Sequence, residues 1–368
     1  MDLLTKQHTR RPPGPSVLSW LLILVLSGCS LAGDDGDVAA GVDLDELFAP
    51  AQPAEIQRAA EAWVDRDVTV RAVELVQEAV VTDPFGQDWH ADVRVYGHEV
   101  DGATHFGAVV VPSDERGRAR PVLLFLHGGD DGVSLSQVAL ALAFQPEMRE
   151  EYIVVVPSFR SEPLVVGERT FQSDGPSSPW DRDVDDSIAL LNVALETTPA
   201  ADGDRIVALG FSRGAAVGLL AAIRDERIDG VAAFFGPADF LGPFARDLAR
   251  DMLRNDLPSL PGIRHLDMTL LEPLQEGELG MEEARIDLIR RSAVYFADRL
   301  PAVQVHHGLD DSIVPPSESE RLADALDAAG RADYEVHFYE GGVHDPLSLQ
   351  GALDRLETFL LSWVDPPA

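Results

Sequence analysis

The chain of 368 residues has one cysteine, Cys29, and one lysine, Lys6, both near its start. A single thiol leaves no intrachain disulfide, no thiolate zinc cage and no cysteine nucleophile in the folded body. With no lysine after position 6, a Walker-type phosphate lysine, a Ser-Lys dyad and a Schiff base are excluded. Basic residues are scarce overall: 29 Lys and Arg face 63 Asp and Glu, a formal charge of −34. So acidic a surface repels phosphate backbones, and nucleic acid is not an expected partner. There is no dinucleotide fingerprint either, because Gly210 to Gly218 lacks the Gly-x-Gly start. What remains is 45% hydrophobic and 25% charged, the balance of a soluble chain able to bury one large α/β core or two ordinary ones.

The N-terminus reads as an address. Lys6, Arg10 and Arg11 precede an apolar run, Val17 to Leu26, too short to span a bilayer stably. The run ends in Leu26-Ser27-Gly28-Cys29, which resembles the bacterial lipobox. That resemblance implies a signal peptide over 1–28 and lipidation of Cys29, with each buried methylene worth about 0.8 kcal/mol of anchoring. The alternative is an ordinary secretory signal and a secreted or periplasmic protein. Ser30 after the cysteine, by resemblance to Gram-negative lipoproteins, favours the outer membrane of the cell envelope. Membrane contact is then expected through the lipid alone. Residues 29–52 read as an acidic tether, and the acids of Gly33 to Asp37 do not have the spacing of an EF-hand loop.

Residues 53–88 read as a helical and extended segment, with Ile56, Ala59, Ala60 and Trp63 on one face of a helix. Strands are expected over 73–81 and 89–111, the latter turning at Val100-Asp101-Gly102-Ala103. Beyond Pro121, fully apolar runs (Val122–Leu126, Ile153–Val156, Ile206–Leu209, Val231–Phe235, Val303–Val305, Tyr334–Tyr339) alternate with helical stretches near 137–145, 181–196, 213–223, 317–329 and 347–362. Unbroken β-branched and aliphatic runs suit strands buried on both faces. The expected fold class is therefore α/β, a mostly parallel central sheet with helices on both faces, over a catalytic domain of about 89–366. A loop over 157–180 and a partly helical insertion over about 237–292 are longer than plain connections, and such segments build sites at strand ends.

The sharpest chemical signal is Gly210-Phe211-Ser212-Arg213-Gly214, lying between a strand and a helix. There Gly-x-Ser-x-Gly holds a serine on a strained turn, its oxygen above the sheet and beside a helix N-terminus. A base and an orienting acid should follow in the order Asp, His. One later strand ends in His306-His307-Gly308-Leu309-Asp310-Asp311, and the last ends in Glu340-Gly341-Gly342-Val343-His344. At this point the chain, over roughly residues 90–365, resembles the α/β-hydrolase fold, and within it the prolyl-oligopeptidase-type serine peptidases and dienelactone-hydrolase-like esterases. Their Gly-x-x-Asp-x-x-Val-Pro pattern falls on Gly308, Asp311, Val314 and Pro315. The resemblance implies Ser212 as nucleophile, Asp311 as acid and His344 as base. His127-Gly128-Gly129 supplies an oxyanion turn through the backbone of Gly128 and Gly129, joined by the Arg213 N–H. The alternative for the two glycines is a plain tight turn.

Rival assignments remain beside these. Asp310 competes with Asp311, and Asp239 follows as a third candidate. His306, His307 and Asp310 suggest a metal pair, yet adjacent strand residues face opposite ways, so packing is the expected role; His337 is expected to pack in mid-strand and His127 to be structural. Asp181 to Asp186 looks like a metal cluster but sits at a helix start, where acids suit the dipole. Trp180, Phe159 and Arg160 belong to the long loop, as pocket lining or surface. No metal and no cofactor is expected. The expected activity is acyl transfer to water from a small acyl ester, carboxylesterase-like. The alternatives are a prolyl-oligopeptidase-type peptidase, for whose β-propeller residues 53–88 leave no room, and a catalytically inactive binding lipoprotein. Dienelactone hydrolases proper use cysteine, which this body lacks, and the tyrosine that assists the oxyanion in prolyl oligopeptidases has no counterpart after His127.

Overall fold

Short apolar runs buried on both faces form the middle of a nine-stranded sheet. The computed structural model describes residues 37–364 apart from 83–84, 86–89, 114–117, 257–259 and 261. The signal segment and Cys29 lie outside the described residues. The strands are β1 (Arg71–Thr82), β2 (His90–Val100), β3 (Ala103–Pro112), β4 (Arg120–Leu126), β5 (Ile153–Pro157), β6 (Ala201–Phe211), β7 (Ile228–Phe234), β8 (Ala302–Gly308) and β9 (Tyr334–Tyr339). Their order is β9-β8-β7-β6-β4-β5-β3-β2-β1. From β5 to β9 all neighbours are parallel; β3, β2 and β1 add antiparallel ribbons at one edge. The β2–β3 turn has positive φ at both Asp101 (52°) and Gly102 (73°), the backbone a two-residue hairpin demands.

Alternation along a strand sends side chains to two cores. Val122, Leu124 and Leu126 of β4 join Leu190 and Leu220, whereas Leu123 and Phe125 join Leu142, Leu356 and Leu360. The helices supplying these are α4 (Arg182–Thr197) and α5 (Arg213–Arg224) on one face, and α2 (Leu135–Ala143) and α9 (Ala352–Val364) on the other. The chain is an α/β-hydrolase fold. Strand order reverses where β4 lies between β6 and β5, so the carboxyl ends of β4 and β6 flank a crevice. His127 and Ser212 stand at those two ends.

Several expectations change. The 157–180 loop carries a hairpin, Pro163–Val166 with Arg169–Gln172, packed in parallel on Val133–Ser134. The helix expected over 137–145 ends at Ala143, and Pro146 opens α3 (Pro146–Glu151), because proline is tolerated in a first helical turn and not inside one. The insertion is helical, with α6 (Pro243–Leu253) and α7 (Met281–Arg290) as its longer members.

From Asp37 on, the stretch read as tether is folded. Ala39, Val42, Leu44 and Leu47 are buried in the core. Arg285 of α7 fixes this segment: it donates to the carbonyls of Glu46 (2.8 Å), Leu47 (2.9 Å) and Ala49 (2.9 Å) and to the Glu55 carboxylate (2.7 and 2.8 Å). Composition shows an acidic, small-residue stretch; it does not show that one distant arginine satisfies its carbonyls.

Burial also sets the acid response. His98, His105, His127 and His306 are buried, and desolvation holds the first two at pKa values of about 4 and the last two at about 3. Unfolded histidine, near 6.5, binds a proton that the fold refuses. Their contribution is therefore complete above pH 6.5 and is lost as pH falls, at about 1.4 kcal/mol per pH unit for each group. Glu162 and Asp186, raised to about 7 by burial, act in the opposite sense between about pH 4 and 7, two groups against four. The urea midpoint should therefore drop between pH 7 and pH 5; a constant or rising midpoint would contradict this account.

Candidate active site

β6 ends at Phe211 and α5 begins at Arg213, so Ser212 alone makes the turn, with φ 53° and ψ −117°. That conformation is sparsely populated for a residue with a Cβ and costs about 1–3 kcal/mol. The flanking glycines permit it. A Cβ on Gly210 would meet the Gly214 oxygen at 2.1 Å, and one on Gly214 would meet the Leu126 oxygen at 2.2 Å. The Ser212 N–H is held by the Phe234 oxygen at 2.9 Å, tying the turn to the end of β7.

Asp311 and His344 meet. The His344 Nδ1 lies 2.7 Å from Asp311 Oδ2, while Asp311 Oδ1 accepts the N–H groups of Ile313 (2.8 Å) and Val314 (3.1 Å). Asp311 is buried and Asp310 is exposed, so the acid turn presents only the former to the imidazole. Burial alone would raise the Asp311 pKa; hydrogen bonds with His307 and His344 and from the Ile313 N–H outweigh it and hold the carboxyl well below the usual range. The His344 ring packs on Phe235, with centroids 4.4 Å apart, and Phe235 directly follows the residue that anchors Ser212. The end of β7 therefore touches both residues, bonding the Ser212 turn through Phe234 and packing on His344 through Phe235. Among the described residues no hydrogen bond joins the Ser212 hydroxyl to His344. Such bonds are commonly long before substrate binds.

The glycine turn lies against the serine. A Cβ on Gly128 would come within 2.9 Å of the Phe211 oxygen and 3.2 Å of Ser212 Cβ, and Gly129 has φ +78°. The Arg213 N–H is the first of its helix and has no carbonyl one turn earlier to bond. Its side chain turns inward, almost wholly buried. It pairs with Asp183 (2.7 and 2.9 Å), Glu162 (2.5 Å) and the Gly129 oxygen (3.0 Å), and lies over the Phe159 ring at 4.9 Å. One residue therefore offers a backbone donor beside Ser212 and clamps the facing turn.

The other sequence candidates resolve into structural roles. The acids of Asp181 to Asp186 are buried counterions: Asp181 pairs with Arg66 (2.6 Å) and Arg290 (2.9 Å), Asp185 with Arg66, Arg182 and Arg224, and Asp186 with Arg160 (2.6 Å). Asp183 and Asp185 do stand in the first turn of α4, as expected, and beyond that the cluster draws arginines from four other segments that the local sequence does not reveal. Among the described residues no three His, Cys, Asp or Glu side chains are arranged to hold a metal. His306 bonds the Tyr339 hydroxyl (2.7 Å) and Gln304 (2.9 Å); His337 stacks on it at 5.4 Å. His127 stacks on Phe159 at 4.4 Å. Asp239 is held by Arg321 (2.8 Å), and among the described residues no histidine bonds it. Sequence reasoning missed the work of His307. Its Nε2 bonds the Val314 oxygen (2.9 Å) and lies 3.4 Å from Asp311 Oδ2, and its Nδ1 bonds Ser319 (2.6 Å), so it braces the acid turn from behind. The sole sequence hint was a second histidine beside His306 at the strand end.

A narrow cleft, with about 60 Å³ open to water, begins at Ser212 and Arg213 and runs under the insertion. Trp180 lines it, which settles that residue as a wall. Phe48, from the segment that Arg285 fixes, lines it as well.

No family profile and no curated protein matches the chain. Solved structures do. Acetyl xylan esterase 1 from Thermoanaerobacterium superposes with a TM-score of 0.58 at 19% identity, over 88% of this chain and 99% of that one. An acetyl xylan esterase from Paenibacillus gives 0.52 at 18%, over 86% and 98%. The acylaminoacyl peptidase of Pyrococcus horikoshii gives 0.52 at 17%, over 74% of this chain and 41% of the peptidase. At these identities the likeness defines the fold.

Proposed function

We propose that this chain is a serine hydrolase of the carboxylesterase type. The observation that carries the reading is the strained Ser212 turn at the strand-order reversal, with the Asp311–His344 pair past the ends of β8 and β9 and the His344 ring against Phe235 at the end of β7. Asp311 holds the His344 Nδ1–H, which leaves Nε2 free to accept the Ser212 proton as Oγ attacks the ester carbonyl. The oxyanion is received by the Arg213 N–H and the Gly128–Gly129 turn; each such donor is worth about 2.7–4 kcal/mol in the transition state. His344 then returns the proton to the departing alkoxide. Water, deprotonated by the same imidazole, attacks the acyl-enzyme and frees Ser212 and the acid.

The length match favours an ester over a peptide: the chain spans nearly the whole length of the esterases it resembles and less than half of the peptidase. A fluorophosphonate probe should modify Ser212 in the folded protein, and p-nitrophenyl esters should be cleaved far faster than peptide anilides. Absence of modification at Ser212 would turn the reading to an inactive binding protein; faster anilide cleavage would turn it to a peptidase.

A further inference from the structure

We propose that the cleft beside Ser212 is an acyl-chain pocket and that the substrate is an ester of a medium-length fatty acid rather than of acetate. The inference rests on the serine-hydrolase reading above and adds its substrate class. It stands on three observations.

The first is the character of the walls. α6 is amphipathic: Phe244, Leu248 and Met252 recur every four residues on the cleft side with Ala245 and Ala249 between them, while Arg246 and Arg250 leave the opposite face to pair with Asp37. Ile263 and Leu271 continue the apolar lining beyond α6. A soluble chain that leaves such a lined cleft open at a reactive group has built a place for apolar matter.

The second is the state of its polar groups. Asp239 is engaged by Arg321 and by the Tyr295 hydroxyl (3.3 Å), and Glu318 Oε2 accepts the N–H groups of Ala238 and Asp239 (both 2.9 Å). Two atoms of the lining, Trp180 Nε1 and Glu318 Oε1, lack a partner, and burial raises the pKa of the Glu318 carboxyl. One free donor and one free acceptor fall short of the converging set that a sugar would need.

The third is direction. The leaving group must face His344, which gives it a proton, and the acyl group points away on the oxyanion side. The cleft is lined by Ser212, by Arg213, whose N–H is the proposed oxyanion donor, and by Ile313 and Val314 of the acid turn, but not by His344. Contact with the oxyanion donor and not with the imidazole assigns it to the acyl side of the scissile bond.

Each methylene that enters the cleft should raise kcat/KM about three- to fourfold, the equivalent of burying one CH₂. The experiment measures kcat/KM of the full chain for p-nitrophenyl acetate, butyrate, octanoate and palmitate, for the native protein and Ala245→Trp, which fills the cleft from α6. Octanoate, six methylenes longer, should exceed acetate by roughly a thousandfold, and Ala245→Trp should cut octanoate at least tenfold while changing acetate less than threefold. A native profile that is flat or falls from acetate onward overturns the inference, and it does so whether or not the variant folds. Equal losses on all esters in a folded Ala245→Trp overturn it as well. Fluorophosphonate reactivity of Ser212 separates the two failures: a protein that is modified yet prefers acetate keeps the mechanism and loses the pocket assignment. A protein neither modified nor active on any ester loses both.

Discussion

Ser212→Ala is expected to lower ester turnover by about 10⁴- to 10⁶-fold while leaving the thermal midpoint within a degree or two of the native value. The whole proposed chemistry passes through one hydroxyl. Alanine keeps the Cβ and therefore the strain at φ 53°, so the folded state gains and loses little. Ser212→Gly is the companion variant. It should be equally inactive but more stable by about 1 kcal/mol, because glycine occupies positive φ without the Cβ clash. Kinetics with an ester substrate together with calorimetry of all three proteins check both halves. Residual activity within tenfold of native in Ser212→Ala would remove Ser212 from the mechanism.

The second large effect is expected at Arg213, and it is one of stability as much as of rate. Its side chain is almost completely buried between Asp183 and Glu162. Arg213→Met removes the cation and leaves two carboxylates in a dry site, at a cost of about 3–5 kcal/mol. Turnover should also fall, because the guanidinium holds the Gly129 carbonyl and so fixes the turn proposed to receive the oxyanion. Arg213→Lys is not a rescue: an ammonium does not reproduce the fork that spans Asp183 Oδ1 and Oδ2. Pairing Arg213→Met with Asp183→Asn should recover part of the stability, since the orphaned charge is then absent. Urea denaturation of the two singles and the double measures this. A double variant no more stable than Arg213→Met would place the stability loss elsewhere, in packing against Phe159.

What could be read from the sequence was local or periodic. The Gly-x-Ser-x-Gly turn is legible because five consecutive residues carry its entire geometry, down to the glycines that let Leu126 and Gly214 touch. The parallel strands announce themselves because burial on both faces requires unbroken apolar runs. The frame that selected Asp311 over Asp310 came from a four-residue pattern, and the structure shows why one step matters: Asp310 points to solvent and Asp311 to His344.

The remainder depends on residues far apart in the chain. Asp183 reads as a helix-start acid until Arg213, thirty positions on, is seen to need it. Phe48 reads as the end of a tether until Arg285 draws it to the cleft. A hydrophobic stripe on α6 predicts a buried face but not that Ser212 lies across from it, and for that reason small acyl groups were the sequence expectation and a longer one is the structural inference.

The buried pairs around α4 have one more consequence. After position 6 all their cations are guanidinium groups, which keep their charge at a hydrogen-ion activity where amines have already discharged. Strong alkali therefore does not undo these contacts by neutralising their positive partners. Reagents that seek primary amines, such as succinimidyl labels or aldehyde resins, likewise find no side chain to attack anywhere in the folded body.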